Sequence, residues 1–313
     1  MKKLIAASAA VLMTVTACGS GAYDATEIPP KPQPKVQPAA PPAVQPPCGN
    51  PLMSYAPEGI LPTSRILEKI RKRDRLIAGV SADSLHLGAR NPISGEIEGF
   101  DIDMVKAVAA AIFGTDKGHL ELRVISSPQR IPVLQKEEVD IVARNMTINC
   151  ARWQQIAFSA EYYRSGQKTL VALDEKATSV KDLDGMTICA PAGSTSLDNL
   201  KKENPQVNTV TADTDTGCLV LFQSGKADGI SGDDTVLAGD AAQDPYAKVL
   251  KERFSDEPYG LGMPPSDRNF VKFVNQTLEQ MKADGRWMAS YNKWLAPDLG
   301  PLASPPAPVY GRK

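Results

Sequence analysis

Histidine is nearly missing: His86 and His119 are the only two in 313 residues. That scarcity argues against a Ser-His-Asp hydrolase and against histidine-rich metal sites. No paired-carboxylate site is evident either, so neither an enzyme nor a bound cofactor is expected. A charge excess is also lacking, with 35 Lys and Arg against 36 Asp and Glu, so nothing favours nucleic acid as a partner. Beyond the first residues no run is long and apolar enough for a membrane-spanning helix. Cysteines number five, without a CxxC or a histidine pair, which speaks against zinc. No repeat of fixed period appears.

What is present starts at the N-terminus. Lys2 and Lys3 precede an apolar stretch, Leu4 to Thr14, too short to span a bilayer. Val15-Thr16-Ala17-Cys18 then has the form of a lipobox: an aliphatic residue, two small residues and a cysteine. The reading is a lipoprotein signal over 1–17 and an acylated Cys18, with an ordinary secretory signal as the alternative. Several acyl chains anchor a protein stably, so the expected location is the extracytoplasmic face of the cell membrane. Residues 18–62 carry Pro29-Pro30, Pro41-Pro42 and Pro46-Pro47 and are expected to form an extended stalk. A second proline-rich stretch, 299–313, is expected as a tail outside the core.

Setting Cys18 aside leaves Cys48, Cys150, Cys189 and Cys218, an even number in an exported chain. Of the possible pairings, Cys189 with Cys218 is favoured, since both fall in the second half of the pattern, at a strand end and on a following helix. Cys48 with Cys150 is then left, and buried free thiols are the alternative.

Between the proline-rich ends, strands alternate with helices. Ile66, Leu67 and Ile70 mark a short amphipathic helix. Arg75 to Val80, Leu120 to Val124 and Val139 to Ala143 read as strands. Ile102, Val105, Ala109 and Ile112 share one helical face, and Gly114 stands where a helix terminates. A second set runs from Thr169 to Ser231, followed by two helices split at Asp284-Gly285. This alternation argues for an α/β architecture with a mainly parallel sheet, made twice.

Ligands of open α/β sheets bind at the carboxyl ends of strands, so three loops after strands are candidates. Asn145 to Arg152 offers the Thr147 hydroxyl and the Arg152 fork, which matches a carboxylate. Gly193-Ser194-Thr195-Ser196 is either an amide nest for an anion or a plain helix cap. Asp233 could hold an ammonium group, or Asp233 or Asp234 could simply start a helix. Guanidinium, amide nest and carboxylate together complement a free amino acid.

The residues at this point resemble a family. The motifs are Gly99-Phe100-Asp101-Ile102-Asp103, Arg130 to Gln135 leading to Val139-Asp140-Ile141, Met146-Thr147-Ile148 with Arg152, Lys181 to Gly185, Asp233-Asp234, and Asp284-Gly285-Arg286-Trp287. Their order and spacing are similar to those of the bacterial extracellular solute-binding proteins, family 3, the receptors of polar amino-acid ABC importers, and most of all to the glutamate/glutamine-binding lipoproteins. The resemblance covers roughly 64–297. It implies a periplasmic-binding-protein-like (type II) α/β fold: lobe 1 over 63–164 and 259–298, lobe 2 over 165–258, joined by two hinge strands. The crossings are expected near Tyr163 to Gln167 and Pro258 to Gly262.

The resemblance also implies roles. Arg152 matches the arginine that grips the α-carboxylate, and Thr147 a threonine that helps to hold both ends. Asn145 falls where a backbone carbonyl takes the ammonium, Thr195 where an amide meets the carboxylate, and Asp233 matches the ammonium's counter-charge. Ser127 and Arg130 fall where relatives reach an acidic side chain. Asn149 and Ala151 depart from the family's Thr-x-x-Glu-Arg, and Leu85-His86-Leu87 replaces an aromatic clamp, with His86 either lining the cleft or capping a loop. An acidic side chain on the ligand is the resulting expectation. Implied partners are an L-amino acid and an ABC permease or a membrane sensor protein, the receptor itself being monomeric. A dehydratase-type enzyme on the same fold is a remote alternative.

Overall fold

The computed structural model describes residues 48–58 and 63–313; the expected signal segment, Cys18 and most of the expected stalk lie outside the described residues. Two sheets organise the chain. The first has the strand order Leu120–Val124, Leu76–Val80, Ile141–Ala143, Gly262–Met263, Ala157–Phe158. Its first three strands are parallel. Strand Ile141–Ala143 is buried along its whole length, as expected for a parallel strand covered on both faces. The second sheet has the order Asn208–Ala212, Thr187–Pro191, Gly229–Asp233, Tyr163–Ala172, Ala247–Val249.

Each sheet is therefore less parallel than its pattern suggested. In each sheet a single reversed strand interrupts the parallel set, Gly262–Met263 in the first and Tyr163–Ala172 in the second, each pairing antiparallel with both of its neighbours in that order. Apolar periodicity reports which residues are buried but not strand direction. The direction follows from the crossovers, because a chain that leaves one lobe and returns to it re-enters the sheet from the far side. Strand Tyr163–Ala172 makes the outward crossing. Its first half pairs antiparallel with Ser255–Tyr259, from Tyr163 with Tyr259 to Gln167 with Ser255, so the two crossings form one ribbon.

Helix Phe100–Phe113 buries Phe100, Ile102, Met104, Val105 and Val108 in the first lobe and ends at Gly114, whose left-handed φ of 83° lets its N–H reach the Ala110 carbonyl. Helices Arg268–Ala283 and Arg286–Trp294 pack against it. Under the hinge lies an aromatic stack: Phe100 meets Trp287 edge-on at 5.5 Å, and Tyr163 and Tyr259 stand 5.8 Å apart. Trp287 is fully buried and its indole N–H donates to the Tyr162 carbonyl at 2.9 Å. This footing ties the hinge to lobe 1.

The proline-rich C-terminus is outside the apolar core but is fastened. Val309–Tyr310 pairs in parallel with Met53–Ser54. Tyr310 donates to Glu279, Lys282 donates to the Pro306 carbonyl, and the Arg312 guanidinium sits 3.7 Å from the Trp153 ring centre. The N-terminal segment is fastened at the same place, by a Cys48–Cys150 disulfide and by Trp153 donating to the Pro51 carbonyl. A second disulfide joins Cys189 and Cys218 in lobe 2. The small sheet Asp83–Ser84, Gly88–Arg90, Ile97–Glu98 had no strand-like alternation to announce it. Among the described residues no helix is long and apolar enough to cross a membrane.

Candidate functional site

Lobe 1 reaches the cleft through the loop that follows strand Ile141–Ala143. Asn145 takes a left-handed φ of 36°, and its N–H donates to Asp101 at 2.8 Å. Helix Cys150–Trp153 then begins with Asn149 as its cap, the side-chain oxygen accepting from the Arg152 N–H at 2.9 Å. The departure at Asn149 thus retains a capping side chain. Arg152 is buried and donates to the Thr147 carbonyl at 2.7 Å and to the Gly193 carbonyl of lobe 2 at 3.3 Å.

Lobe 2 answers with two helix starts. Ser194 caps helix Thr195–Glu203, leaving Thr195 at its first turn. Asp233 ends strand Gly229–Asp233 and precedes helix Asp234–Gln243, yet its carboxylate makes no capping bond. That carboxylate instead accepts the Tyr259 hydroxyl at 2.6 Å, with Ser196 at 3.4 Å. Burial, and then the charge of Glu257, push its pKa well above the usual carboxylate range.

The structure brings together most of the residues singled out from the sequence. Ser127, Arg130, Asn145, Thr195 and Asp233 line one narrow cleft with Asp215. Thr147 and Thr195 face each other across the lobe boundary with hydroxyl oxygens 3.1 Å apart. Arg130 is buried and directs its donors to the carbonyls of Ser127, Arg144, Asn145 and Gly193. Burial and the nearby Arg152 and Arg144 lower its pKa to about 9. Ser127 accepts the guanidinium of Arg144 at 2.5 Å.

His86 lies apart from this cleft. It is not among the residues lining the cleft; it adopts a left-handed φ of 69°, and its ring meets Asp298 at 2.9 Å. Its loop is held down where the Phe100 N–H donates to the His86 carbonyl, so the ring serves a loop contact.

Four polar residues of the site were not foreseen. Arg144, wholly buried, stands 3.6 Å from Asp215, which also accepts the Ser84 hydroxyl at 2.5 Å. Asp101 accepts from Tyr162 and Asn145, and burial raises its pKa to about 6. Glu257, on the returning hinge strand, accepts from Thr147, Thr195, Asn199 and Ser255. Arg144 closing an apolar strand was the one available signal, because a charge there needs buried partners. Further contacts cross between the lobes: the Ser127 N–H donates to the Asp213 carbonyl and the Thr216 hydroxyl to the Asp83 carbonyl. Among the described residues no group of three or more His, Cys, Asp or Glu could hold a metal ion.

Comparison with known proteins agrees with this architecture. Residues 76–297 match the family model described as bacterial extracellular solute-binding proteins, family 3. A glutamine-binding protein of Geobacillus stearothermophilus is 41% identical over 212 residues, 67% of this chain and 80% of that protein. The ABC transporter glutamine-binding protein GlnH of Bacillus subtilis is 34% identical over 233 residues, 74% of this chain and 85% of its own length. Among solved structures, an ancestral arginine-binding protein bound to glutamine superposes with a TM-score of 0.67 at 31% identity, covering 71% of this chain and 98% of that one. The chain belongs to the bacterial extracellular solute-binding proteins, family 3.

Proposed function

We propose that this protein is an extracytoplasmic, lipid-anchored receptor that binds a free polar or acidic L-amino acid by closing its two lobes and delivers it to an ABC importer. One observation carries the reading: Thr147 and Arg152 of lobe 1 meet Thr195 and Gly193 of lobe 2 directly, beside a cleft that Thr195 and the Asp233 carboxylate line. A guanidinium fork suits the α-carboxylate, and the helix start at Thr195 adds amides and a favourable dipole. Asp233 suits the α-ammonium. The names of the two relatives support glutamine or a close analogue as the ligand. Arg130 and Ser127, with Arg144 behind them, place positive charge at the remaining end, which favours an acidic side chain.

Groups from both lobes hold one ligand, so the ligand favours the closed state and shifts the population toward it. Net affinity in the micromolar range corresponds to about 8 kcal/mol. Calorimetric titration with glutamate, aspartate, asparagine and glutamine tests the proposal. Saturable binding of at least one of them is expected, tightest for an acid; absence of heat with all of them would remove the receptor reading. Anchoring rests on the Val15 to Cys18 motif, and mass spectrometry of membrane-extracted protein should find an acylated Cys18 as the first residue.

A further inference from the structure

Glu257 lies on the returning hinge strand Ser255–Tyr259 and is 1% exposed. One carboxylate oxygen accepts the hydroxyls of Thr147 at 2.6 Å and Thr195 at 2.7 Å, one from each lobe. The other accepts Ser255 at 2.6 Å and Asn199 at 2.8 Å. An ionised carboxylate only accepts hydrogen bonds, so the protons of both threonine hydroxyls are committed to it. A hydroxyl whose proton is committed offers only lone pairs to anything else. Thr147 and Thr195 therefore present acceptors, not donors, at the cleft. Acceptors suit an ammonium group, which has donors alone, and repel a carboxylate.

We propose that Glu257 is a positioning residue for the ligand's α-ammonium group: it fixes Oγ1 of Thr147 and Thr195 as acceptors and adds its negative charge to that of Asp233. The α-carboxylate is then left to Arg152 and to backbone N–H groups. This division of labour rests on the receptor reading above, and it assigns recognition of the ammonium to four elements, the loop after Ile141–Ala143, the start of helix Thr195–Glu203, the end of Gly229–Asp233 and the hinge.

The test compares ligands that differ only at the ammonium. Wild type, Glu257→Gln and Glu257→Met are titrated with glutamate and glutarate, and with aspartate and succinate, after thermal melts confirm that each variant is folded. Glutamine keeps the shape without the charge; methionine keeps the length without an acceptor. Wild type is expected to prefer the amino acid of at least one pair. Both variants are expected to lose about tenfold or more of affinity for that amino acid while the des-amino acid changes by less than about threefold, so the preference collapses. Equal loss for both members of the pair, or no loss for either, would make Glu257 a hinge brace and overturn the inference while leaving the receptor reading intact. Failure of wild type to bind any amino acid would overturn both.

Discussion

The two lobes bring charge to the cleft in different ways. Lobe 1 supplies three buried arginines, Arg130, Arg144 and Arg152, held by backbone carbonyls of strand-end loops. Lobe 2 supplies buried carboxylates, Asp215 and Asp233, each at the start of a helix. Carbonyl dipoles steady a cation, and a helix N-terminus steadies an anion. Each lobe can thus carry its own charge, and the match is completed only when they meet, as in Arg144 with Asp215. Recognition and closure draw on the same groups.

Several measurements could break this picture of complementary halves. The largest effect is expected for stability, through the disulfides. Cys48–Cys150 closes a separation of 102 residues and Cys189–Cys218 one of 29. Replacing both cysteines by serine should cost about 4–5 kcal/mol for the first pair and about 3–4 kcal/mol for the second, read by denaturant unfolding. A larger loss for the lobe 2 bridge would contradict the chain-entropy account.

Next come Arg152→Ala and Asp233→Asn, one from each lobe. Each should weaken amino-acid binding by about 2–5 kcal/mol, since each leaves a charged ligand group unpaired. Similar losses are expected by titration; a loss confined to one lobe would refute the shared grip.

A change of pH should separate stability from binding. Burial raises Asp101 from the ordinary carboxylate value to about 6. Its folded value exceeds its unfolded one, so it favours the folded state increasingly as pH falls from 7 to 4, by about 3 kcal/mol at most. The difference between wild-type and Asp101→Asn melting profiles over that range measures it. Asp233 must be ionised to hold an ammonium, and burial and the charge of Glu257 raise its pKa, so affinity should fall on acidification. The smallest effect is expected for His86→Ala, which should leave affinity within about twofold because the ring faces Asp298, away from the lining residues.

Much of this was legible in the sequence, and the reasons are local. The face of Ile102, Val105 and Ala109, the stop at Gly114 and the break at Gly285 are written within one or two turns of chain. Asn145, Thr195 and Asp233 gather at one cleft because each follows a strand or opens a helix, positions that periodicity marks, whereas Arg130 was pointed to by the family resemblance alone. Glu257 carries no such mark. It gains its role from Thr147 and Thr195, which lie 110 and 62 residues away. His86 stayed open between two placements because an absent aromatic says nothing about which way its replacement turns. The reversed strand in each sheet was hidden for a similar reason, since burial patterns carry no arrow.

The two chain ends leave a mechanical consequence. Force applied to the chain at residue 48 enters through the Cys48–Cys150 link and the pairing of Met53–Ser54 with Val309–Tyr310, all on lobe 1. That load path ends in lobe 1 and bypasses the ribbon of Tyr163–Ala172 and Ser255–Tyr259, so tension at residue 48 is borne by lobe 1.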